Sequence, residues 1–400
     1  MEIKLPNDVL MIIEKMRARG FRCDVVGGSV RNSLLGISVD DYDLTTNALP
    51  QQVKEVFADY RTVDTGIKHG TVTLLIEGRG YEITTYRIDG DYTDNRHPDS
   101  VCFTELLSLD LERRDFTVNA MCYNPYDGFT DLFGGVRDLQ SRLIRAVGDP
   151  ERRFTEDALR ILRALRFASL LDFTIERKTA EAIRAKAHLL KEVAPQRIFA
   201  ELLKLFSGKG AYPVIEEFKE VLQSLFTELP KFSICDRQTF DGMKREQRLL
   251  SMFILSSGDA CSDFDSFMKR YHSDNRSRLA GNLAIKAYYG SDFNSVGAVL
   301  KSFLSFGKDA VSTALELGIH LGRFTNEDAQ MLCLAVRSGL PYTVSGLSVC
   351  GDDLVALGIK GRAIGDALDK LLDAVIRGRV QNDKTELIEY AKSFTFAGSD

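Results

Sequence analysis

The 400-residue sequence contains no stretch approaching 18 consecutive apolar residues, so a transmembrane helix is not expected. Its seven cysteines, at positions 23, 102, 122, 235, 261, 333 and 350, are odd in number, scattered, and without a CxxC pair. Neither a disulfide framework nor a zinc site is supported, and a reducing cytoplasm is the expected compartment. The five histidines, at 69, 97, 188, 272 and 320, include no His-Asp pair. No GxGxxG follows any strand signal and no GxxxxGK[ST] occurs, so the dinucleotide and P-loop readings fail. An excess of basic charge is also missing. Fifty-two Lys and Arg face 57 Asp and Glu, a net charge of −5. That excludes a uniformly basic nucleic-acid coat and leaves room for a local basic strip. The first 20 residues carry acids in an amphipathic helical pattern and lack the layout of a signal peptide.

What is present is an ordinary globular composition, 44% apolar and 27% charged. At about 150 residues per domain, two or three domains are expected. The first 150 residues mix short strand signals, at 22–26, 71–78 and 80–88, with a helical pattern at 50–59 and glycine turns. They read as α+β with a small mixed sheet. After Asp149-Pro150 helical spacing dominates to the end, with Leu159, Leu162, Leu165, Phe167 and Leu170 marking one apolar stripe. Charge is uneven. Residues 145–210 hold 14 Lys or Arg against 9 Asp or Glu, so the rest of the chain carries −10. Such a run is either a solvated helical face or a basic strip beside a cleft.

Four segments carry chemistry. In Val26-Gly27-Gly28-Ser29-Val30-Arg31 a strand runs through two glycines into a helix. That turn lets backbone approach an anion, with Ser29 offering a hydroxyl and Arg31 a bidentate cation. Gly-Gly before a helix is equally a plain turn. Next, Asp41-Tyr42-Asp43, read as a strand, turns two carboxylates to one side. A divalent cation would relieve their repulsion, and Mg2+ prefers carboxylates combined with substrate phosphates. Glu82, in an alternating run, is the candidate third carboxylate. The alternatives are an acidic surface turn and a solvent-side glutamate. Third, Arg113-Arg114-Asp115 reads as a phosphate-gripping pair with Asp115 as orienter, or as a helix start capped by Asp115. Fourth, Asp157, Arg160, Arg163 and Arg166 recur every three residues on one helix, opposite the leucines. They are over-supplied with positive charge for mutual pairing. Asp beside Arg also matches the amine-and-acceptor edge shared by cytosine and adenine, which guanine and uracil reverse.

In this order, GGSVRNSLLG (27–36), DYDLTT (41–46), RRDFTVNAM (113–121) and EDALRILRALRF (156–167) resemble the bacterial CCA-adding tRNA nucleotidyltransferases and their poly(A) polymerase relatives. Residues 357–391 resemble the C-terminal region of the compact Gram-positive type. The resemblance implies a nucleotidyltransferase head over 1–150, a helical neck over 151–210, a body over 211–310 and a tail over 311–400. It implies two Mg2+ on Asp41 and Asp43 with Glu82 as third carboxylate. It implies Gly28, Arg31 and Arg114 on the triphosphate, and Asp157, Arg160, Arg163 and Arg166 on the nucleotide-selecting helix. Asn32 departs from the family pattern, which has Asp there. The implied partners are CTP, ATP and the acceptor and TΨC arms of tRNA, and the oligomeric state stays open, a homodimer included. Residues 89–98 resemble the loop that CC-only enzymes lack, which favours adding the terminal A. An A-adding enzyme and a poly(A) polymerase are the alternatives. A basic C-terminal extension and a His-Asp phosphohydrolase domain are not expected.

Overall fold

Strand β1 (Cys23–Val26) is buried along its whole length, as a strand flanked on both sides must be. Even Asp24 within it is fully buried. It is satisfied by Arg22, whose Nε lies 2.8 Å away, and by the Tyr86 hydroxyl at 2.9 Å. In the computed structural model, which describes residues 3–64, 66–89 and 101–394, β1 is an interior strand of a seven-stranded mixed sheet. The other strands are β2 (Asp43–Thr46), β3 (Arg61–Val63), β4 (Thr71–Ile76), β5 (Arg79–Thr85), β8 (Met121–Asn124) and β9 (Gly128–Asp131). Their spatial order is β3-β4-β5-β2-β1-β8-β9. The β2–β5 pair is parallel and its neighbours are antiparallel. Helix α1 (Asn7–Ala18) buries Val9, Ile12, Ile13 and Met16.

The run 80–88 is not one strand. β5 ends at Thr85, and β6 (Arg87–Asp89) pairs instead with β7 (Val101–Phe103) in a separate ribbon. Tyr86 makes the break: its N–H donates to the Thr46 carbonyl at 2.7 Å and its hydroxyl reaches Asp24. The segment read as a CC-only discriminator, 89–98, begins at the last residue of β6. The remainder of that segment lies outside the described residues.

The chain divides into two units, Met1–Leu225 and Phe226–Asp400. The first holds the sheet and helices α2 (Gly28–Leu34), α3 (Pro50–Val56), α4 (Leu107–Glu112), α5 (Gly135–Gln140), α6 (Pro150–Glu156), α7 (Leu159–Leu171), α8 (Arg177–Lys186) and α9 (Pro195–Ser207). The segment after residue 150 is helical, with one addition that spacing did not reveal. Strand β11 (Thr174–Ile175) pairs in parallel with β10 (Leu143–Ile144). The second unit is helical throughout its described residues. Part of its core is an aromatic cluster in which Phe226 stacks on Phe267 at 4.7 Å and Phe253 meets Phe264 edge-on at 5.3 Å.

Helix α7 is buried on most sides, including Arg160 and Arg166, so its arginines do not form a solvated face. Phe167 packs edge-on against Phe116 at 5.8 Å. On the other side α7 crosses the end of α9 at Gly208, where an added Cβ would run into the Ser169 hydroxyl and backbone. Ser169 is pinned there by its own bond to the Leu205 carbonyl at 2.6 Å. Gly208→Ala is therefore expected to destabilise this unit by about 3 kcal/mol, the upper end of ordinary overpacking. Thermal and urea unfolding of the variant check this. A loss below about 1 kcal/mol would mean the helices part easily.

Candidate active site

The turn after β1 has a conformation that demands glycine. Gly27 sits at φ +74, ψ −129, and its N–H is held by the Met121 carbonyl on β8. A side chain at Gly27 would stand 3.3 Å from Arg114 Nη1, and one at Gly28 would stand 3.5 Å from Arg31 Nη2. Two guanidiniums thus flank a bare glycine backbone, an arrangement suited to an anion of several oxygens. Ser29 does not join them. Its hydroxyl donates back to the Val26 carbonyl at 3.0 Å, so the donor expected from sequence is already spent.

Arg31 is buried, and its hydrogen-bond partners are neutral. Its Nε and Nη2 reach Asn32 Oδ1 at 3.1 and 2.9 Å, and its Nη1 reaches Asn119 Oδ1. Its guanidinium also lies 5.0 Å from the Phe167 ring centroid. Burial lowers its pKa to about 10, with Asp115 opposing and Arg166 and Arg163 adding to the effect. Asn32, where the family pattern has Asp, therefore gives this cation a neutral hydrogen-bond partner, and Asp115 is the carboxylate whose charge reaches it. A bound phosphate group would supply further negative charge.

Asp43 opens β2 and sits in register with Glu82 on the parallel strand β5, so both carboxylates face the same side. Asp41 lies before the strand, not within it. The expected two-residue strand alternation therefore does not describe this pair. Asp41 nevertheless acts on the site. Burial raises the Asp43 pKa, Glu82 and Asp41 raise it further, and Arg114 opposes them. A cleft of about 210 Å³ joins Asp43, Glu82, Thr71, Thr84 and Val26 to Arg87, Arg113 and Arg114. Among the described residues no group of three His, Cys, Asp or Glu is arranged to hold a metal alone. The residues instead fit a cation shared between carboxylates and substrate phosphates. Asp43 carries repulsion that a cation would relieve, and arginines line the same cleft.

Arg113 and Arg114 have a different orienter from the one expected. Asp110 on α4 accepts from Arg113 Nη2 at 2.6 Å and from Arg114 Nη2 at 3.2 Å. Asp115 instead accepts from Arg163 Nε at 2.8 Å, from Asn119 Nδ2 and from the Phe116 N–H. Burial pushes the Asp115 carboxyl up, but the Arg163 charge and these hydrogen bonds outweigh it and hold it at about 2. Asp110, Arg87 and Asn119 were not singled out from sequence. The i,i+3 and i,i+4 spacing of Asp110 to the two arginines was the available signal.

The expected single helix through Asp157 and Arg166 is broken. Asp157 is extended at φ −140, ψ 103, between α6 and α7, and its Oδ1 accepts the Leu159 N–H at 3.1 Å. That bond fixes the link between the two helices and leaves Oδ2 facing Arg197 Nη2 at 3.4 Å. Arg160 Nη1 is held by Glu156 at 2.9 Å, and its Nη2 donates to the Arg113 carbonyl at 3.1 Å. Arg163 is committed to Asp115. Arg166 Nη1 pairs with buried Glu201 at 3.0 Å, and its guanidinium packs on Phe167. Arg160 thus reaches the backbone of the cleft arginine Arg113, while Arg163 and Arg166 are tied to Asp115 and Glu201.

Comparison with known proteins gives two matched segments. Residues 23–145 match the family described as the poly A polymerase head domain. Residues 172–231 match the family described as the probable RNA and SrmB-binding site of polymerase A. The CCA-adding enzyme of Ligilactobacillus salivarius is 36% identical, across 96% of this chain and 95% of that one.

The chain belongs to the CCA-adding enzyme family.

The Levilactobacillus brevis CCA-adding enzyme is also 36% identical, over 97% of both chains. A solved structure of the Bacillus stearothermophilus CCA-adding enzyme in complex with CTP is 28% identical, with a TM-score of 0.79 over 97% of each chain. Family membership therefore spans both units. The head-domain match takes in Asp41, Asp43, Glu82, Arg31 and Arg114, whereas Asp157 through Arg166 fall between the two matched segments.

Proposed function

We propose that this protein adds C, C and A to the 3′ end of tRNA from CTP and ATP, without a nucleic-acid template, releasing pyrophosphate. The observation that carries the reading is the cleft in which Asp43 and Glu82, in register across β2 and β5, face Arg113 and Arg114. Full-length likeness to CCA-adding enzymes, one of them in complex with CTP, supplies the substrate class. A cytoplasmic location belongs to the same reading, because tRNA, CTP and ATP are all available there.

In the reaction, the tRNA 3′ oxygen forms a bond to the α-phosphorus and the bond to the β-phosphate oxygen breaks. Asp41 and Asp43 would hold Mg2+, which supplies Lewis acidity to the hydroxyl and charge neutralisation to the leaving pyrophosphate. Glu82 adds a third negative charge on the same face. Arg31 and Arg114, with the bare backbone of Gly27 and Gly28 between them, grip the triphosphate. Asp157 accepts the exocyclic amine of cytosine or adenine and Arg160 donates to the neighbouring acceptor. Arg163 and Arg166 keep the base-reading segment in place through Asp115 and Glu201. Three tRNA primers, ending before CCA, after C and after CC, test the reading. All three should be completed to CCA. Extension of the last alone would reassign the protein to A addition.

The neck and the helical remainder hold the acceptor and TΨC arms by shape and phosphate contacts rather than by reading bases. Several of the 14 basic residues at 145–210 are paired internally, but the segment keeps its net +5. The tRNA association constant is expected to fall with salt at a log–log slope of about −3 or steeper, despite the acidic pI. A flat plot in a filter-binding titration would contradict phosphate-led binding.

A further inference from the structure

The carboxylate that organises the cleft arginines is not one of the catalytic acids. Asp110 is fully buried, and five donors converge on it. Oδ1 accepts from Arg113 Nε at 3.0 Å and Nη2 at 2.6 Å, and from the Arg87 N–H at 3.4 Å. Oδ2 accepts from Arg114 Nη2 at 3.2 Å and from the Thr45 hydroxyl at 3.1 Å. Thr45 lies two residues beyond Asp43 on β2, in register with Thr84, which is two beyond Glu82 on β5. One buried carboxylate thus ties the strand bearing Asp43 to both arginines that face it across the cleft.

We propose that Asp110 is the positioning residue for triphosphate binding, setting Arg113 and Arg114 against the carboxylate side of the site. This rests on the reading above that the cleft takes a nucleoside triphosphate. The physical reason is preorganisation. A guanidinium is a planar fork, and it grips phosphate oxygens well only when its orientation is fixed beforehand. Burial penalises the Asp110 charge, but Arg114 and Arg113 outweigh that and hold its carboxyl below the usual range, so it remains an anion. It does not line the cleft, and it acts through the arginines. The role is distinct from that of Asp115, whose arginine partner, Arg163, lies on α7.

The test is a double-mutant cycle read by nucleotide binding. Asp110→Asn keeps the shape and removes the charge, and it should raise Kd for CTP and for ATP by the same factor, about tenfold. The relative preference for C and A over U and G should not move, because the base reader is untouched. In an Arg113→Ala/Arg114→Ala background the effect should shrink severalfold, since both groups acted upon are gone. An equal effect in both backgrounds would overturn the proposal, as would a loss of kcat with Kd unchanged. Should Asp110→Asn not fold, Thr45→Val decides. It removes one donor to the same carboxylate and should raise both Kd values about two- to fivefold. No rise in either would overturn the role. Wild-type enzyme that binds neither CTP nor ATP would instead reject the underlying functional reading, so the two failures are separable.

Discussion

Asp43→Ala is expected to lower the addition of both C and A by at least about 10²- to 10³-fold at saturating Mg2+, with tRNA binding intact. The register of β2 and β5 sets this expectation. Asp43 and Glu82 are forced onto one side of the sheet, and the Asp43 pKa is raised first by desolvation and then by repulsion from Glu82 and Asp41, against the opposing charge of Arg114. A folded protein tolerates such a cluster when a cation is to be bound there. Asp43 opens its strand in the lining of the cleft, outside the buried run of Leu44, Thr45 and Thr46, so its removal leaves that core untouched. The loss is therefore expected without unfolding, and circular dichroism should match wild type. Asp41→Ala should behave alike, because its charge acts on the same point. Rapid-quench assays with CTP and with ATP measure both steps. A variant retaining a tenth of wild-type kcat would remove Asp43 from the proposed metal-binding pair.

Asp157→Asn is expected to invert base preference. Oδ1 already accepts the Leu159 N–H in the link before α7, and an asparagine Oδ1 can accept the same bond. The substitution should therefore preserve the break between α6 and α7 while placing an amide N–H where Oδ2 now is. That donor opposes the N4 amine of cytosine and the N6 amine of adenine, and it suits the carbonyl that uracil and guanine present there. Discrimination by one bidentate pair amounts to about 1–3 kcal/mol, or about 5- to 150-fold in kcat/KM. Addition of C and A should fall, and UTP and GTP should gain by a factor in that range relative to them. The measurement is kcat/KM for all four nucleotides on a tRNA ending in CC and on one lacking CCA. An unchanged order at both steps would leave Asp157 only its bond to the Leu159 N–H between the two helices.

The ordered motifs made the fold class and the chemistry legible. Alternation in 71–76 and 79–85 marks strands because one face is buried, and Gly27 marks a turn because its positive φ excludes side chains. The failures share a cause. Spacing reports which residues could be neighbours along one element, not which distant groups compete for them. Arg163 and Arg166 look like a free stripe until Asp115 and Glu201 arrive from elsewhere in the fold. Ser29 looks like a ligand donor until its hydroxyl turns back to Val26. Asp157 looks helical by period, yet its carboxylate competes for a backbone N–H and ends the helix, as a short acidic side chain can. Asp110 went unnoticed because a single acid in LSLDLE carries no motif, and its importance comes from β2 and β6 closing around it.

The central claim is that one cleft in this chain selects C, then C, then A, with no template. Its most direct test is to incubate a tRNA lacking CCA with the protein, Mg2+ and all four nucleoside triphosphates at equal concentration, then sequence the 3′ ends. The account predicts ends that read CCA and stop, with U and G rare. Ends left unextended, or extended as runs of A, would contradict it.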